Sequence, residues 1–517
     1  MDKSRDISDR SRREFLKQVG GALGGLAIAG GFGTDAGAQG AIPSAYKFYR
    51  VLSANDGTNS VQSLSAAVMI GGFNTPGKNQ TDVIYFHGTT TAQFRSGNPS
   101  ALFLANINYN GARPTITNLE VVVALGDKLQ NVVGVDRAQL PIVVGTLGTG
   151  SANSLGNYAT AIAVEDFGQG AGGSVEVKSS PGVYLFEPLT HTWTKRARFG
   201  DSSPDGSKYG GIFGDVVLND DNSVTLVAAT TAQPNLPTLA SSRGSRFSGL
   251  VGSHALIQVA PPGSEDSFIV LKSGDLLPGT NAILESFGII DVVKNDYFVA
   301  QVTARRPEIR NATAGTGVVR GRLSEIAAKQ RDGLTLLSAS SHLLPESMIR
   351  TGAVMLGESI IGPRVGADGE TALVTHTPAS IPGIGSLDFQ RLTVFEPNGR
   401  RSELAVAGDI ADVYQVAALG APVVSSESKL TYWAEALPDG TTSLFVRDTG
   451  TNATATILRS GDMVEGWKVT EIHHGYHSAQ VDVAGRLAFA AEFLKDPTAD
   501  PENPKNIYSS IVVGIPA

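Results

Sequence analysis

The sequence predicts an all-β chain built from a repeated unit. Three observations carry this. Glycine makes up 60 of 517 residues and charged residues only 17%, a balance that suits strands and turns better than long solvated helices. A short apolar strand ending in Gly-Asp recurs along the chain. A second phrase, a turn residue followed by Gly and then a small and a large apolar residue, recurs between those marks.

The Gly-Asp phrase is clearest at Phe268-Ile-Val-Leu-Lys-Ser-Gly274-Asp275, with copies at Gly126-Asp127, Gly200-Asp201, Gly408-Asp409 and Gly461-Asp462. Asn55-Asp56 and Ser341-His342 read as decayed copies. The marks then stand at 56, 127, 201, 275, 342, 409 and 462. Each interval has room for four short strands, and four-stranded repeats of this kind build β-propeller blades. The expected architecture is a seven-bladed propeller, against two packed β-sandwiches or a parallel β-helix. The apolar segments Tyr46–Leu52 and Ile507–Val513 have no partner within the register of marks. Pairing them in one blade would close the ring without two raw edges.

The second phrase is Asp482-Val-Ala-Gly485-Arg-Leu-Ala488-Phe489, echoed at Asn219–Leu226, Gly366–Leu373 and Ser425–Tyr432. Asn, Asp and Gly tolerate the left-handed backbone that a tight hairpin needs. These phrases resemble secreted bacterial proteins with N-x-x-G-x-x-A-F tandem repeats. The resemblance implies a repeat-built β structure and transfers no catalytic residue.

The first 38 residues read as an export signal rather than as part of the fold. Arg12 and Arg13 begin a twin-arginine phrase, Val19–Ala29 is a short Gly/Ala-rich apolar stretch, and Ala36-Gly37-Ala38 supplies small residues for cleavage between Ala38 and Gln39. The apolar stretch is too short to span a bilayer, which takes about 20 residues. The expected organisation is a signal peptide over 1–38 and one propeller domain over 39–517, in the periplasm or outside the cell. With no cysteine, the chain can form no disulfide, thiol nucleophile or cysteine-ligated metal site. Its formal net charge of −8 speaks against nucleic acid. The mature chain carries no apolar run of membrane length.

The chemistry-bearing residues are few. Three of the eight histidines cluster at His473, His474 and His477. Neutral imidazoles ligate transition metals, and a turn at Gly475 would let His474 and His477 converge, with Glu471 as an added carboxylate. The competing reading is a polar connection with no metal, and no cofactor at all is the first expectation. Arg305, Arg306 and Arg310, with Arg320 and Arg322 beyond them, make a basic run in an acidic chain and form a candidate contact for an anion or acidic glycan. Asn219–Asn222 reads as a hairpin turn rather than a calcium loop, because it lacks spaced carboxylates. The sequence has no nucleophile elbow or phosphate-binding loop. These features favour a secreted binding or scaffold protein for a protein or glycan ligand. The alternative is an extracytoplasmic enzyme acting on polysaccharide or anionic esters with metal assistance.

Overall fold

The computed structural model describes residues 46–516 apart from 74–80, 91–99, 137–141, 170–174, 232–252, 382–384, 409–417, 426–429, 474–478 and scattered single or paired positions. The export-signal residues lie outside the described residues. Among those described, strands dominate, and the α-helices are two short ones, Leu323–Ala327 and Glu346–Thr351. None is long and apolar enough to cross a membrane.

The strands form seven sheets in chain order, antiparallel among their principal strands, the blades of a propeller. Blade 1 runs Val61–Phe73, Thr81–Thr90, Ser100–Asn108 and Thr115–Ala124. Blade 2 runs Ile142–Leu147 with Ser151–Ala152, Tyr158–Gln169, Gly182–Glu187 and Thr192–Arg198. Blade 3 runs Tyr209–Leu218, Val224–Thr230, Ser253–Val259 and Phe268–Lys272; blade 4 runs Ile283–Val293, Tyr297–Arg305, Gly315–Arg322 and Thr335–Ala339. Blade 5 runs Ser359–Val365, Thr371–Ile381, Gly385–Phe395 and Arg401–Gly408. Blade 6 runs Ala418–Leu419 with Val423–Val424, Leu430–Ala436, Thr442–Asp448 and Thr454–Arg459. Short extra strands widen several sheets beyond the principal four.

Blade 7 joins the two ends of the described chain. Its inner strands, Trp467–Ile472 and Ala479–Val481, pair with Leu487–Leu494, which pairs with Ile507–Pro516. The fourth strand is Tyr46–Ser53, antiparallel to Ile507–Pro516 from Tyr46↔Pro516 to Ser53↔Ser510. The expected closure is therefore present: Ile507–Pro516 is paired on both sides, and Tyr46–Ser53 forms the outer edge of the blade.

The marks at 127, 201, 275, 342 and 462 fall at crossings, where the outermost strand of one blade passes to the innermost strand of the next; those at 56 and 409 lie outside the described residues. At Gly126, Gly200, Gly274 and Gly461 the glycine adopts a left-handed backbone, for example Gly274 at φ +95° and Gly461 at +96°. The Asp carboxylate turns back onto the chain: Asp275 Oδ2 accepts the Lys272 N–H at 3.0 Å, and Asp462 Oδ2 accepts the Arg459 N–H at 2.7 Å. The repeated Asp thus closes a turn. The second phrase is the hairpin between the first and second strands. In blade 7 the Asp482 N–H bonds Arg486 O, the Gly485 N–H bonds Asp482 O, and Gly485 sits at φ +75°. This is the three-residue hairpin with a glycine bulge.

Apolar side chains fill the space between blades. Val83 and Tyr85 of blade 1 pack on Tyr158 and Tyr184 of blade 2, while Ile84 and Phe86 face the other way, onto Ala488 and Ala490 of blade 7. Alternation along one strand therefore serves both neighbours.

Candidate functional site

The innermost strands touch one another in a closed round, blade 1 to blade 2 and on to blade 7 and back. Each is broken or bulged midway. Register shifts occur between Leu64 and Val68, Phe213 and Val216, Phe287 and Ile290, and Ile361 and Arg364. In blades 2, 6 and 7 the inner strand is split outright, after Leu147, Leu419 and Ile472. Glycine makes the break in blade 2: a β-carbon on Gly150 would lie 2.0 Å from the Ala159 carbonyl oxygen, closer than any side chain can come.

At two of these bulges a carboxylate stitches neighbouring blades. Asp215 accepts the Ile290 N–H at 3.0 Å, and Asp291 accepts the Val365 N–H at 2.9 Å while pairing with Arg364 at 3.4 Å. Burial raises the Asp291 pKa above the ordinary carboxylate value, with Arg364 opposing it. These acids belong to the frame.

The longest break in chain terms is that of blade 7, where Ile472 and Ala479 bracket the histidine run. His474 and His477 lie outside the described residues. His473 follows the strand end, with its N–H on the Ala490 carbonyl at 3.1 Å. Glu471 stands directly opposite Glu492 on the neighbouring strand, an arrangement that costs free energy between like charges. Burial raises the Glu492 pKa; His473 pulls it back and Glu471 adds to the rise. Among the described residues, no three or more His, Asp or Glu side chains are grouped so as to hold a metal ion.

The arginines do not form one patch. Arg305 pairs with Glu285 at 2.8 Å and Arg306 with Glu308 at 2.6 Å, whereas Arg310 lies outside the described residues. Arg322, at the far end of the paired strands, binds Asp296 at 2.7 Å. Arg320 is buried and donates to the Gly369 carbonyl at 2.8 Å, joining blade 4 to blade 5. His87 is a core histidine: its Nε2 lies 3.3 Å from the Tyr158 hydroxyl, and burial lowers its pKa to about 4.

The two faces of the ring differ. On the turn face, inner hairpins such as 153–157, 219–223, 366–370 and 482–486 are tight; the connections over 260–267 and, with a helix, 323–334 are longer. The crossing face carries the connections 340–358 and 495–506, and the described strands that flank 91–99, 232–252, 310–311 and 409–417 end on it. It also carries Phe199, Leu276, Ile309, Ile349, Leu356 and Met463, large apolar residues exposed to solvent. Leu276 and Met463 each follow the Asp of a mark directly. No sequence signal announced this segregation, because which face a loop leaves from depends on strand direction in the finished sheet.

No family model matches the sequence, and no curated protein matches it. Solved structures similar in fold include the periplasmic gluconolactonase of Pseudomonas aeruginosa, at 12% identity over 84% of this chain and 93% of that one, with a TM-score of 0.32. An α-L-arabinanase of Penicillium chrysogenum is 11% identical over 74% of this chain and 98% of that one, with a TM-score of 0.31. A polysaccharide lyase described as an ulvan lyase is 8% identical over 87% of this chain and 94% of that one, with a TM-score of 0.37.

Proposed function

We propose that this protein is an exported binding or scaffold propeller that engages a protein or glycan ligand through its crossing face. The observation that carries this reading is the gathering of long connections and exposed apolar side chains on that face. Loops held by a rigid scaffold are where binding residues concentrate, and exposed large apolar groups lower the cost of desolvating an interface. The Arg12-Arg13 signal, with cleavage between Ala38 and Gln39, would deliver the folded chain to the periplasm or the exterior.

The test is retention on insoluble extracellular polysaccharide and on cell-envelope protein preparations. Replacing Phe199, Leu276 and Met463 together with serine is expected to lower retention at least about tenfold, the loss of about 1.4 kcal/mol. Replacing Leu155 and Leu189, exposed on the turn face, should leave it unchanged. Equal retention by both variants would overturn the reading.

A second reading, a propeller hydrolase acting on polysaccharide or anionic esters, is favoured by the Glu471–Glu492 pair beside His473. A half-buried carboxyl of raised pKa, as Glu492 is, is suited to general acid catalysis. In this reading His474 and His477 hold a transition metal. Metal analysis of untagged protein, before and after His474→Ala and His477→Ala, distinguishes the two: less than about a tenth of an equivalent, unchanged by mutation, leaves no metal ligand pair of the kind such a site needs.

A further inference from the structure

Blade 7 meets blade 1 across a seam that holds two buried carboxylates and one guanidinium. Asp82, at the start of the second strand of blade 1, is 2% exposed, and Asp482 and Arg486 flank the inner hairpin of blade 7 and are also buried. Arg486 donates through Nε to Asp482 Oδ2 at 2.5 Å and through Nη2 to Asp82 Oδ1 at 3.0 Å. Its backbone N–H reaches Asp482 Oδ1 at 2.8 Å. The guanidinium lies over the Tyr109 ring at 4.0 Å, and the Tyr109 hydroxyl approaches the Asp82 carboxyl.

The closing strand is drawn to the same place. The Tyr46 hydroxyl bonds that of Tyr432 in blade 6 at 2.7 Å and reaches the Gly485 carbonyl at 3.5 Å. Both phenols feel the Asp482 charge, which adds to the effect of burial in holding them neutral.

Charge counting decides what this cluster does. Among the described residues, two ionised carboxylates against one guanidinium leave a net negative charge in the seam, and an uncompensated buried charge is unfavourable. Asp482 takes two bonds from Arg486 and is the better-satisfied anion. Asp82 takes one and borders a phenol.

We propose that Asp82 is a proton-operated latch on the closure of the ring. Protonated, it leaves the seam neutral, and the first and last blades lie together. Ionised, it sets unbalanced charge beside the hairpin that holds the closing strand Tyr46–Ser53, and the seam loosens. Burial first, and then the Asp482 charge, raises the Asp82 pKa from 3.8 to about 7 against the pull of Arg486. The sign follows: the folded state holds this proton more tightly than the unfolded chain. Its stabilisation is full below about pH 4 and is lost as the pH rises through about 7.

Hydrogen exchange of peptides covering 46–53 and 507–516 tests this in the full mature chain. After correction for intrinsic rates, exchange there should be at least about tenfold faster at about pH 8.5 than at about pH 5. The strand Gly315–Arg322 should show no such change. Asp82→Asn, which has no proton to lose, should abolish the difference while keeping protection at the lower pH. If that variant does not fold, Asp482→Asn serves instead: with one carboxylate left for Arg486, Asp82 ionises without imbalance and the difference should again vanish. A wild-type pH dependence retained in the folded variant, or absent from the wild type, would overturn the proposal.

Discussion

At the scale of single residues, the repeated phrases are backbone devices. Gly274 and Asp275 illustrate this. The glycine holds φ +95°, where a β-carbon costs roughly 1–2 kcal/mol. The aspartate bonds the N–H three residues back, worth about 1 kcal/mol by analogy with helix caps. Gly274→Ala and Asp275→Ala should each lower the denaturation midpoint without changing the slope of the transition. Gly150→Ala should do far more, because its β-carbon would meet the Ala159 carbonyl directly. A chemical denaturation series checks the order Gly150→Ala, then Gly274→Ala, then Asp275→Ala. A Gly150→Ala midpoint equal to that of wild type would show that the split inner strand relaxes freely.

At the scale of elements, the decisive pairing is between the two ends of the described chain. Removing Tyr46–Ser53, the edge strand, would expose in its place the more buried, apolar strand Ile507–Pro516, and apolar edges recruit other chains. A chain beginning at Ala54 should therefore associate in a concentration-dependent way and lose its single cooperative transition. Light scattering with thermal melting checks this. A circular permutant that links Pro516 to Tyr46 and opens in the connection 231–252 should stay monomeric and melt cooperatively. A truncated chain that remained monomeric with the wild-type melting temperature would mean that the other three strands of blade 7 suffice.

At the scale of the whole molecule, export and binding can be separated. Replacing Arg12 and Arg13 with lysine should leave uncleaved precursor inside the cell, detected by fractionation and N-terminal sequencing. The same variant, purified after removal of residues 1–38, should retain the fold and the proposed crossing-face binding, since its remaining sequence equals that of the unsubstituted chain. Normal export of the lysine variant would remove the twin-arginine proposal and leave the propeller untouched.

Much of the architecture was legible in the residues. Seven spaced marks predicted seven blades because the turn at a crossing is local: at Gly126, Gly200, Gly274 and Gly461 a left-handed glycine precedes the Asp, and a local turn is written in local sequence. The closing strands were legible for a similar reason, as apolar segments left without partners. The Asp482–Phe489 hairpin is such an imprint, yet nothing local marked Arg486, between Gly485 and Leu487, as the residue that would reach Asp82, 404 positions away in the chain. The arginine run shows the converse. Arg305, Arg306 and Arg322 are close in sequence, but antiparallel strands carry Arg322 to the opposite end of blade 4, and each finds its own carboxylate. Turn chemistry is fixed by neighbours along the chain, so the sequence by itself determined the repeat, the blade count and the closure. Burial and charge pairing depend on what packs across a seam, so only the tertiary structure decided where the ionisable groups lie and on which face the large apolar side chains stand exposed.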